Sequence, residues 1–377
     1  MAFRNKICFW LCLLLCVTAK SQTQEKTIVV DSLQRQYRIY MPPSLEGPAP
    51  LVLNFHGLNT DAFIQELYTQ MNAVADTGGF ILVYPQGIAQ RWNVGIAGLE
   101  HDSVDDVGFV EVLLDTLLSQ YPIDTNRIYA TGMSLGGFMS YRLACELSHR
   151  IAAVASVAGL MSHPQFRACR PGRPVPVMHI HGVADPVVAY NGDREFVSVD
   201  SVMSLWKTHN HCAQEPVVSL MPDRSPGDGT LVLKLQYACD PSAEVVLYMV
   251  QNGGHTWPGG FPIPTFGLTC YDIQASGEIW NFLRQFSLQG RLTGLLPARK
   301  EEPVRLFPNP FGEKLNLQSN SPLTYWAAYD LMGRKLAAQF VPGTTSLQLP
   351  TSSWPPGWYV LKLRTTTGWH TFRLQKY

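Results

Sequence analysis

Residues 129–137 read Tyr129-Ala130-Thr131-Gly132-Met133-Ser134-Leu135-Gly136-Gly137. The residues at 127–130 predict a short strand, and the helical spacing of apolar residues over 138–147 predicts a helix after the turn. Gly-x-Ser-x-Gly between a strand and a helix makes a sharp turn that strains the serine backbone and exposes its hydroxyl at the edge of a sheet. A side chain at Gly132 or Gly136 would collide with the neighbouring strand or helix. This context favours a nucleophilic Ser134 over a glycine-rich turn without chemistry.

Apolar strands alternate with helices over residues 27–286. We expect core strands at residues 51–55, 80–84, 152–157, 175–180 and 245–250, preceded by an antiparallel pair at 27–30 and 37–41 with a turn at 33–36. Helical spacing recurs at residues 60–76, 105–118 and 281–286. Such alternation is typical of the α/β class, in which helices cover both faces of a mostly parallel sheet.

A serine hydroxyl needs a general base to become a good nucleophile, and the base needs an acid to orient it. Asp185 follows the expected strand that ends at His181-Gly182, and His255 follows the strand at 245–250. Both therefore lie at carboxyl ends of strands, where sheets of this class bind ligands. Serine, acid and histidine in this chain order is the arrangement of the α/β-hydrolase fold. We predict that Ser134, Asp185 and His255 form a catalytic triad.

Other histidines compete for the role of base. His179 and His181 lie in or beside a strand, which favours packing or hydrogen bonding over catalysis. His56 precedes Gly57 at the end of an earlier strand, where the loop of such a fold donates a backbone N–H to the oxyanion hole. We predict the backbone N–H groups of Leu58 and Leu135 as the two donors, and His56 as a structural residue.

Two further pairs of residues allow a functional or a structural interpretation. Asp105 and Asp106 are either paired acids of a catalytic site or the start of a helix, and the second is favoured because acids stabilise a helix N-terminus. Trp92 and Trp257 lie in glycine-rich loops near the predicted site. We interpret them as aromatic walls of a substrate pocket, with ordinary core packing as the alternative.

The net charge and the spacing of the cysteines indicate which kinds of partner and cofactor to expect. The chain has 29 Lys and Arg and 29 Asp and Glu, so its net charge is zero and nothing indicates a nucleic-acid partner. No pair of cysteines has the spacing of a zinc site, and we expect neither a metal nor another cofactor.

The first 21 residues predict a secretory signal peptide. Arg4 and Lys6 precede an apolar run at 7–17 that is too short to span a membrane, and Ala19-Lys20-Ser21 resembles a cleavage site. Lipid attachment at Cys16 is the alternative.

Five cysteines follow the signal, so at least one thiol is free in the exported chain. Cys212 and Cys239 flank a polar, turn-rich segment, and we predict a disulfide between them.

The pattern of apolar and turn residues changes near residue 290. Short alternating strands with turn residues between them run from 304 to the last residue and predict a small antiparallel β-sandwich. We therefore divide the chain into a signal peptide at 1–21, a catalytic domain at 22–289, a linker at 290–302 and a β-sandwich at 303–377.

Six short motifs lie at residues 53–57, 84–87 with Trp92-Asn93, 105–109, 132–137, 181–185 and 254–259. Together they resemble the polyhydroxybutyrate-depolymerase and feruloyl-esterase family over roughly residues 26–287. The resemblance implies a secreted serine esterase acting on feruloyl or acetyl esters of plant polysaccharides, on polyhydroxybutyrate-type polyesters or on small esters. Relatives often carry cysteines after the Trp-Asn loop, where this chain has Ile96-Ala97-Gly98, so we expect that part of the pocket to differ.

Three more motifs lie at residues 306–311, 329–336 and 357–363. In this order they resemble the carboxy-terminal sorting domain of type IX secretion substrates in Bacteroidetes, over roughly residues 303–377. The resemblance implies the type IX secretion machinery as a partner, followed by release or surface attachment. A carbohydrate-binding β-sandwich with Trp354, Trp358 and Trp369 is the alternative.

Two other functions stay open at this point. The same triad would serve a peptidase of the prolyl-oligopeptidase type, although the sequence has no propeller-like repeat. A hydrolase scaffold could also act as a non-catalytic, polysaccharide-binding surface protein, although Ser134, Asp185 and His255 are all present.

Overall fold

The computed structural model describes residues 23–292 and 304–377, apart from residues 44, 46, 102, 241, 310, 331–333 and 367. The predicted signal peptide, the alternative lipid site at Cys16 and most of the predicted linker lie outside the described residues. Among the helices of the described part, none is long and apolar enough to cross a membrane.

A ten-stranded sheet organises residues 24–251. Its strands are β1 (Gln24–Val30), β2 (Leu33–Tyr40), β3 (Ala49–Phe55), β4 (Ile81–Pro85), β5 (Ile123–Met133), β6 (Ala153–Val157), β7 (Val177–Gly182), β8 (Val217–Leu220), β9 (Leu231–Ala238) and β10 (Glu244–Gln251). Their order across the sheet is β1-β2-β4-β3-β5-β6-β7-β10-β9-β8. The central strands β4, β3, β5, β6, β7 and β10 run parallel, and antiparallel strands flank them on both sides.

Helices cover both faces of this sheet. They are α1 (Ala62–Thr69), α2 (Met71–Gly78), α3 (Asp106–Gln120), α4 (Leu135–Glu146), α5 (His163–Ala168), α6 (Val199–His209) and α7 (Ala275–Leu283). Helices α3, α4 and α6 contribute to the core on one face, and α1, α2 and α7 to the core on the other. Strands β3, β4, β6 and β7 are consequently buried along their whole length, which explains their mainly apolar sequences. The predicted α/β-hydrolase fold is confirmed.

Four expectations about single elements of this part of the chain were wrong. The helix expected to include 281–286 ends at Leu283, and Phe286 already lies in the next strand. The helix expected at 60–76 is two helices, because Gln70 adopts a left-handed conformation with φ of 51°. The turn expected at 33–36 lies instead at Asp31 and Ser32, so β2 already begins at Leu33. Strands β8 and β9 fall in the segment between Cys212 and Cys239 that was expected to be turn-rich, and polar residues such as Lys234 and Gln236 lower the apolar signal there.

A second sheet follows a short ribbon of β11 (Phe286–Ser287) and β12 (Gly290–Arg291). Its strands are β13 (Val304–Phe307), β14 (Lys314–Asp330), β15 (Lys335–Pro350), β16 (Gly357–Thr365) and β17 (Gly368–Lys376). All pair antiparallel, in the order β13-β14-β16-β17, and β15 also pairs with β14. The strands expected at 314–318 and 324–329 form one long strand, β14, whose register shifts between Gln318 and Tyr325.

Trp354 belongs to the core of this second sheet. It is 5% exposed and packs against the rings of Phe311 and Tyr359. A buried indole is not available to stack on a sugar, which argues against Trp354 as a carbohydrate-binding residue.

Candidate active site

Ser134 occupies the corner between β5 and α4, with φ of 54° and ψ of −124°. The backbone is crowded on both sides of it. A Cβ atom on Gly136 would lie 2.0 Å from the Phe55 carbonyl oxygen, and one on Gly132 would lie 2.6 Å from the same atom. Since β3, β5 and α4 approach this closely, only glycine fits at these two positions, as the sequence motif predicted.

Asp185 and His255 follow β7 and β10, which are neighbours in the sheet. The Nδ1 atom of His255 lies 2.7 Å from Oδ2 of Asp185, and both residues are buried. The other oxygen, Oδ1, accepts hydrogen bonds from the backbone N–H groups of Val187 and Val188, at 2.8 Å each. Because the carboxylate accepts the Nδ1 hydrogen, Nε2 of His255 is left as the proton acceptor.

Ser134 and His255 both line a cavity of about 400 Å³. Leu58 and Leu135, the predicted oxyanion residues, also line it. The rest of its wall is mainly apolar and includes Ile64, Met133, Phe138, Phe196, Phe261, Ile263 and Phe266. Ser134 Oγ makes no hydrogen bond within the described residues; catalytic hydrogen bonds are often long in free enzymes and tighten only with substrate.

Another cleft, of about 730 Å³, is larger but lies beside β1 and β2. Its lining includes Glu25, Lys26, Arg38 and Asp61, but no serine, histidine or cysteine. Size alone would favour this cleft as the active site, whereas the side chains that line the smaller cavity at Ser134 favour that cavity.

The two predicted oxyanion residues, Leu58 and Leu135, line the same cavity as Ser134. Leu135 is the first residue of α4, so its N–H group has no partner one turn earlier in the helix. Leu58 follows Gly57, and a Cβ atom on Gly57 would lie 3.4 Å from Cβ of Ser134. The loop after β3 therefore reaches the nucleophile, as an oxyanion loop must.

His56 stabilises this loop through two hydrogen bonds. Its Nδ1–H donates to the Gly57 carbonyl at 2.7 Å, and its Nε2 accepts the Gly87 N–H at 3.0 Å. Burial lowers the pKa of His56 to about 4, so the imidazole is neutral near pH 7. These contacts agree with a structural role for His56.

Comparison with known proteins identifies the family to which the chain belongs. Residues 35–204 match the family described as esterase PHB depolymerase, and residues 305–375 match the secretion system C-terminal sorting domain. The putative esterase NocK of Nocardia uniformis subsp. tsuyamanensis is 31% identical over 265 residues, which cover 65% of this chain and 77% of NocK. The chain belongs to the esterase PHB depolymerase family.

Two further relatives of this esterase family are longer than the chain. The bifunctional acetylxylan esterase/xylanase of Neocallimastix patriciarum is 29% identical over 258 residues, covering 68% of this chain and 34% of that protein. Feruloyl esterase B of Piromyces equi is 28% identical over 272 residues, covering 67% of this chain and 46% of that protein. The chain thus spans about a third and just under half of their lengths. The predicted resemblances of both parts of the chain are confirmed, and the sorting domain marks a protein that is secreted or held at the cell surface.

The two tryptophans expected to wall the pocket of this esterase-family protein do not line it, and that interpretation is corrected. Trp92 is fully buried and its Nε1–H donates to the His56 carbonyl at 2.9 Å. Trp257 is 1% exposed and its Nε1–H donates to Ser276 Oγ at 3.2 Å. Each indole is large enough to be held in the protein interior with its N–H group satisfied. The aromatic lining consists of Tyr68 and four phenylalanines, and two of these, Phe261 and Phe266, lie in the loop after His255 whose conformation the sequence did not define.

Glu100 holds the loop that follows Trp92 and Asn93. Its Oε1 atom accepts the backbone N–H groups of Val94, Gly95 and Ile96, at 2.9, 2.6 and 3.1 Å. Ile96 and Leu99 of this loop line the cavity. We call residues 94–100 with this carboxylate the Glu100 clamp.

Asp105 and Asp106 lie outside the cavity and have different structural roles. Asp105 caps α3 by accepting the Gly108 N–H at 2.9 Å. Asp106 is buried, pairs with Arg35 at 2.7 Å and accepts the Asn93 N–H at 2.8 Å. The paired-acid alternative therefore has no support from their geometry.

Two disulfides cross-link the described part of the chain. Cys212 is joined to Cys239, the pair expected from the sequence, and Cys145 to Cys169, a pair that the spacing alone did not reveal. Cys270 is the buried free thiol among the described cysteines.

Proposed function

We propose that the chain is a secreted serine carboxylic-ester hydrolase with Ser134, Asp185 and His255 as its triad. The observation that carries this proposal is the 2.7 Å hydrogen bond between His255 Nδ1 and Asp185 Oδ2, beside a cavity shared by His255 and Ser134. The backbone strain at Ser134 supports it, because non-glycine residues at positive φ concentrate at functional sites.

The proposed reaction has two halves. Ser134 Oγ attacks the ester carbonyl while His255 Nε2 takes its proton, and the N–H groups of Leu58 and Leu135 stabilise the negative oxygen that forms. His255 then protonates the departing alcohol. Water repeats the attack on the acyl-enzyme, which releases the acid and restores Ser134. No cofactor takes part in either half.

The cavity favours a bulky, largely apolar acyl group. A volume of about 400 Å³ lined mainly by leucine, isoleucine, valine and phenylalanine exceeds what an acetyl group fills. Feruloyl esters of plant polysaccharides and polyhydroxybutyrate-type polyesters therefore fit this cavity better than acetyl esters do. The name of the Piromyces relative supports the feruloyl ester, and that of the Neocallimastix relative the acetyl ester.

We also propose a division of labour along the chain. Residues 1–21 direct export, 22–289 carry the esterase, 290–302 link the domains, and 303–377 engage the type IX secretion machinery. The match of residues 305–375 to a secretion sorting domain supports the last assignment.

The test is a panel of esters hydrolysed by the wild-type chain and by Ser134→Ala. The panel holds a short-chain aryl ester, methyl ferulate, acetylated xylan and a polyhydroxybutyrate film. We expect Ser134→Ala to lose at least about a thousandfold in kcat, since the nucleophile is removed, while its thermal unfolding stays close to wild type. Full activity of Ser134→Ala would overturn the triad assignment, and turnover of no ester by the wild type would overturn the function.

A further inference from the structure

Three buried side chains behind the candidate acid have no part in the proposed chemistry. Tyr141 lies on α4, the helix that begins after Ser134, and His179 and His181 are alternate residues of β7. All three are at most 1% exposed. Because residues two apart on a strand point to the same face, the two imidazoles lie side by side, 5.1 Å between ring centres.

Hydrogen bonds join these side chains in one row. Tyr141 Oη lies 2.8 Å from His179 Nδ1, His179 Nε2 lies 3.0 Å from His181 Nδ1, and His181 Nε2 lies 2.8 Å from the Val188 carbonyl oxygen. The carbonyl at the end can only accept, which fixes every hydrogen in the row. His181 donates from Nε2, His179 donates from Nε2 to His181, and Tyr141 donates its hydroxyl hydrogen to His179.

This direction requires both imidazoles to be neutral, and their environment favours that state. Burial lowers the pKa of His179 well below its ordinary value, and the neighbouring His181 lowers it further. Burial also lowers the pKa of His181, against the opposing effect of Asp185.

The row ends on the turn that holds the acid. Val188 accepts from His181 through its carbonyl and donates its N–H to Asp185 Oδ1 at 2.8 Å. The same His181 nitrogen lies 3.5 Å from Asp185 Oδ2, the oxygen that receives the His255 hydrogen. Any tilt of this turn would therefore change the direction in which the carboxylate meets His255. Val187 and Val188 also line the cavity, so the turn shapes part of its wall.

We infer that His181 is a positioning residue, which fixes the turn at 185–188 and thereby the angle between Asp185 and His255. His179 and Tyr141 act through it, by setting which of its nitrogens carries the hydrogen. This inference rests on the proposed function, because it assigns His181 a role in the same triad. The competing view is that the three side chains only fill space between α4 and β7.

Two substitutions at one position separate these views. His181→Met keeps an unbranched side chain of similar size without a hydrogen to donate, and His181→Gln keeps an N–H donor that can reach the Val188 carbonyl. We expect His181→Met to lower kcat on a soluble aryl ester by about 10- to 100-fold, the range seen when the hydrogen-bond partner that orients a metal-binding side chain is removed. KM should change much less than kcat, because Val187 and Val188 are only two of the residues that line the cavity, and His181→Gln should recover most of the lost kcat.

Tyr141→Phe tests the far end of the row. It keeps the ring and its packing and removes only the donor to His179, so we expect a smaller fall in kcat with KM unchanged. It also decides the question should His181→Met fail to fold. Wild-type kcat in Tyr141→Phe and in every folded His181 variant would overturn the inference and leave the ester-hydrolase proposal standing.

A spectroscopic readout keeps the two proposals distinguishable. The far-downfield proton resonance of His255 Nδ1–H reports its hydrogen bond to Asp185 without any substrate. We expect it to shift or broaden in His181→Met and to return in His181→Gln. If the wild type hydrolyses no ester, the proposed function fails, yet this resonance still decides the role of His181: an unchanged signal in His181→Met overturns it.

Discussion

Single residues decide where the candidate chemistry lies, and the sequence could define most of them. Gly132 and Gly136 mark the corner because their missing side chains leave room for the Phe55 carbonyl. Asp185 and His255 could be predicted because each follows an apolar strand in the expected order. Which side chains point into the cavity could not be predicted, since that depends on loop conformation rather than on spacing. Trp92 and Trp257 therefore proved to be core residues, and phenylalanines together with Tyr68 line the pocket instead.

A matched pair of substitutions tests that correction. Trp257→Phe removes a buried hydrogen bond to Ser276 and leaves a small void, so we expect the free energy of unfolding to fall by about 1–3 kcal/mol with KM unchanged. Phe261→Ala removes a side chain that is 42% exposed and lines the cavity. We expect it to raise KM for bulky esters with little change in stability. Urea unfolding and KM for a bulky ester, measured for both variants, check the pair; a raised KM in Trp257→Phe alone would restore the indole as a pocket wall.

At the scale of whole elements, burial explains which predictions held. The parallel strands at the centre are largely covered on both faces and are rich in apolar residues, so their positions could be predicted closely. Strands β8 and β9 lie at the edge of the sheet, where half-exposed positions carry polar residues and the apolar signal weakens. The break at Gln70 depends on a single left-handed residue that is not a glycine, and no sequence signal marks it.

The loop between β3 and α1 should make the fold sensitive to acid through His56. The folded-state pKa of His56 is about 4 and its ordinary value is 6.5, so between these pH values the unfolded chain binds more protons than the folded one. Stability from this group is complete above pH 6.5 and is lost as the pH falls toward 4, by about 3 kcal/mol in total.

His56→Gln removes this titration while keeping a donor and an acceptor. Urea unfolding at pH 7 and pH 4.5 should therefore show a smaller loss of stability in His56→Gln than in the wild type. His179 and His181 add to the acid loss in both proteins, so the difference isolates His56. Equal losses in the two proteins would contradict the assignment.

Two large sheets, each with a core of its own, make up most of the described part of the chain. They meet where β17 contacts β8, which is an edge strand of the ten-stranded sheet. Val360 of β16 belongs to the core cluster of the large sheet and lines a small cavity with Val218, Leu233 and Leu235. All residues that line the candidate active site lie between 57 and 266, away from this contact.

A chain that ends at residue 292 should therefore keep its kcat and KM on a soluble ester. Its thermal unfolding midpoint should fall, because the apolar side chains that pack on Val360 become exposed to water. Val360→Ala in the full chain is the matched control and should give a smaller fall. A loss of activity as large as that of Ser134→Ala would instead make the second sheet part of the catalytic unit.

The Glu100 clamp holds one wall of the cavity without a disulfide bond. The disulfides Cys145–Cys169 and Cys212–Cys239 join residues that do not line the candidate site, whereas a carboxylate closes the loop that carries Ile96 and Leu99. That wall can take its shape as soon as the chain folds, before any oxidant has acted on its thiols. A reducing agent would then break the two disulfides and leave the hydrogen bonds of the Glu100 clamp in place.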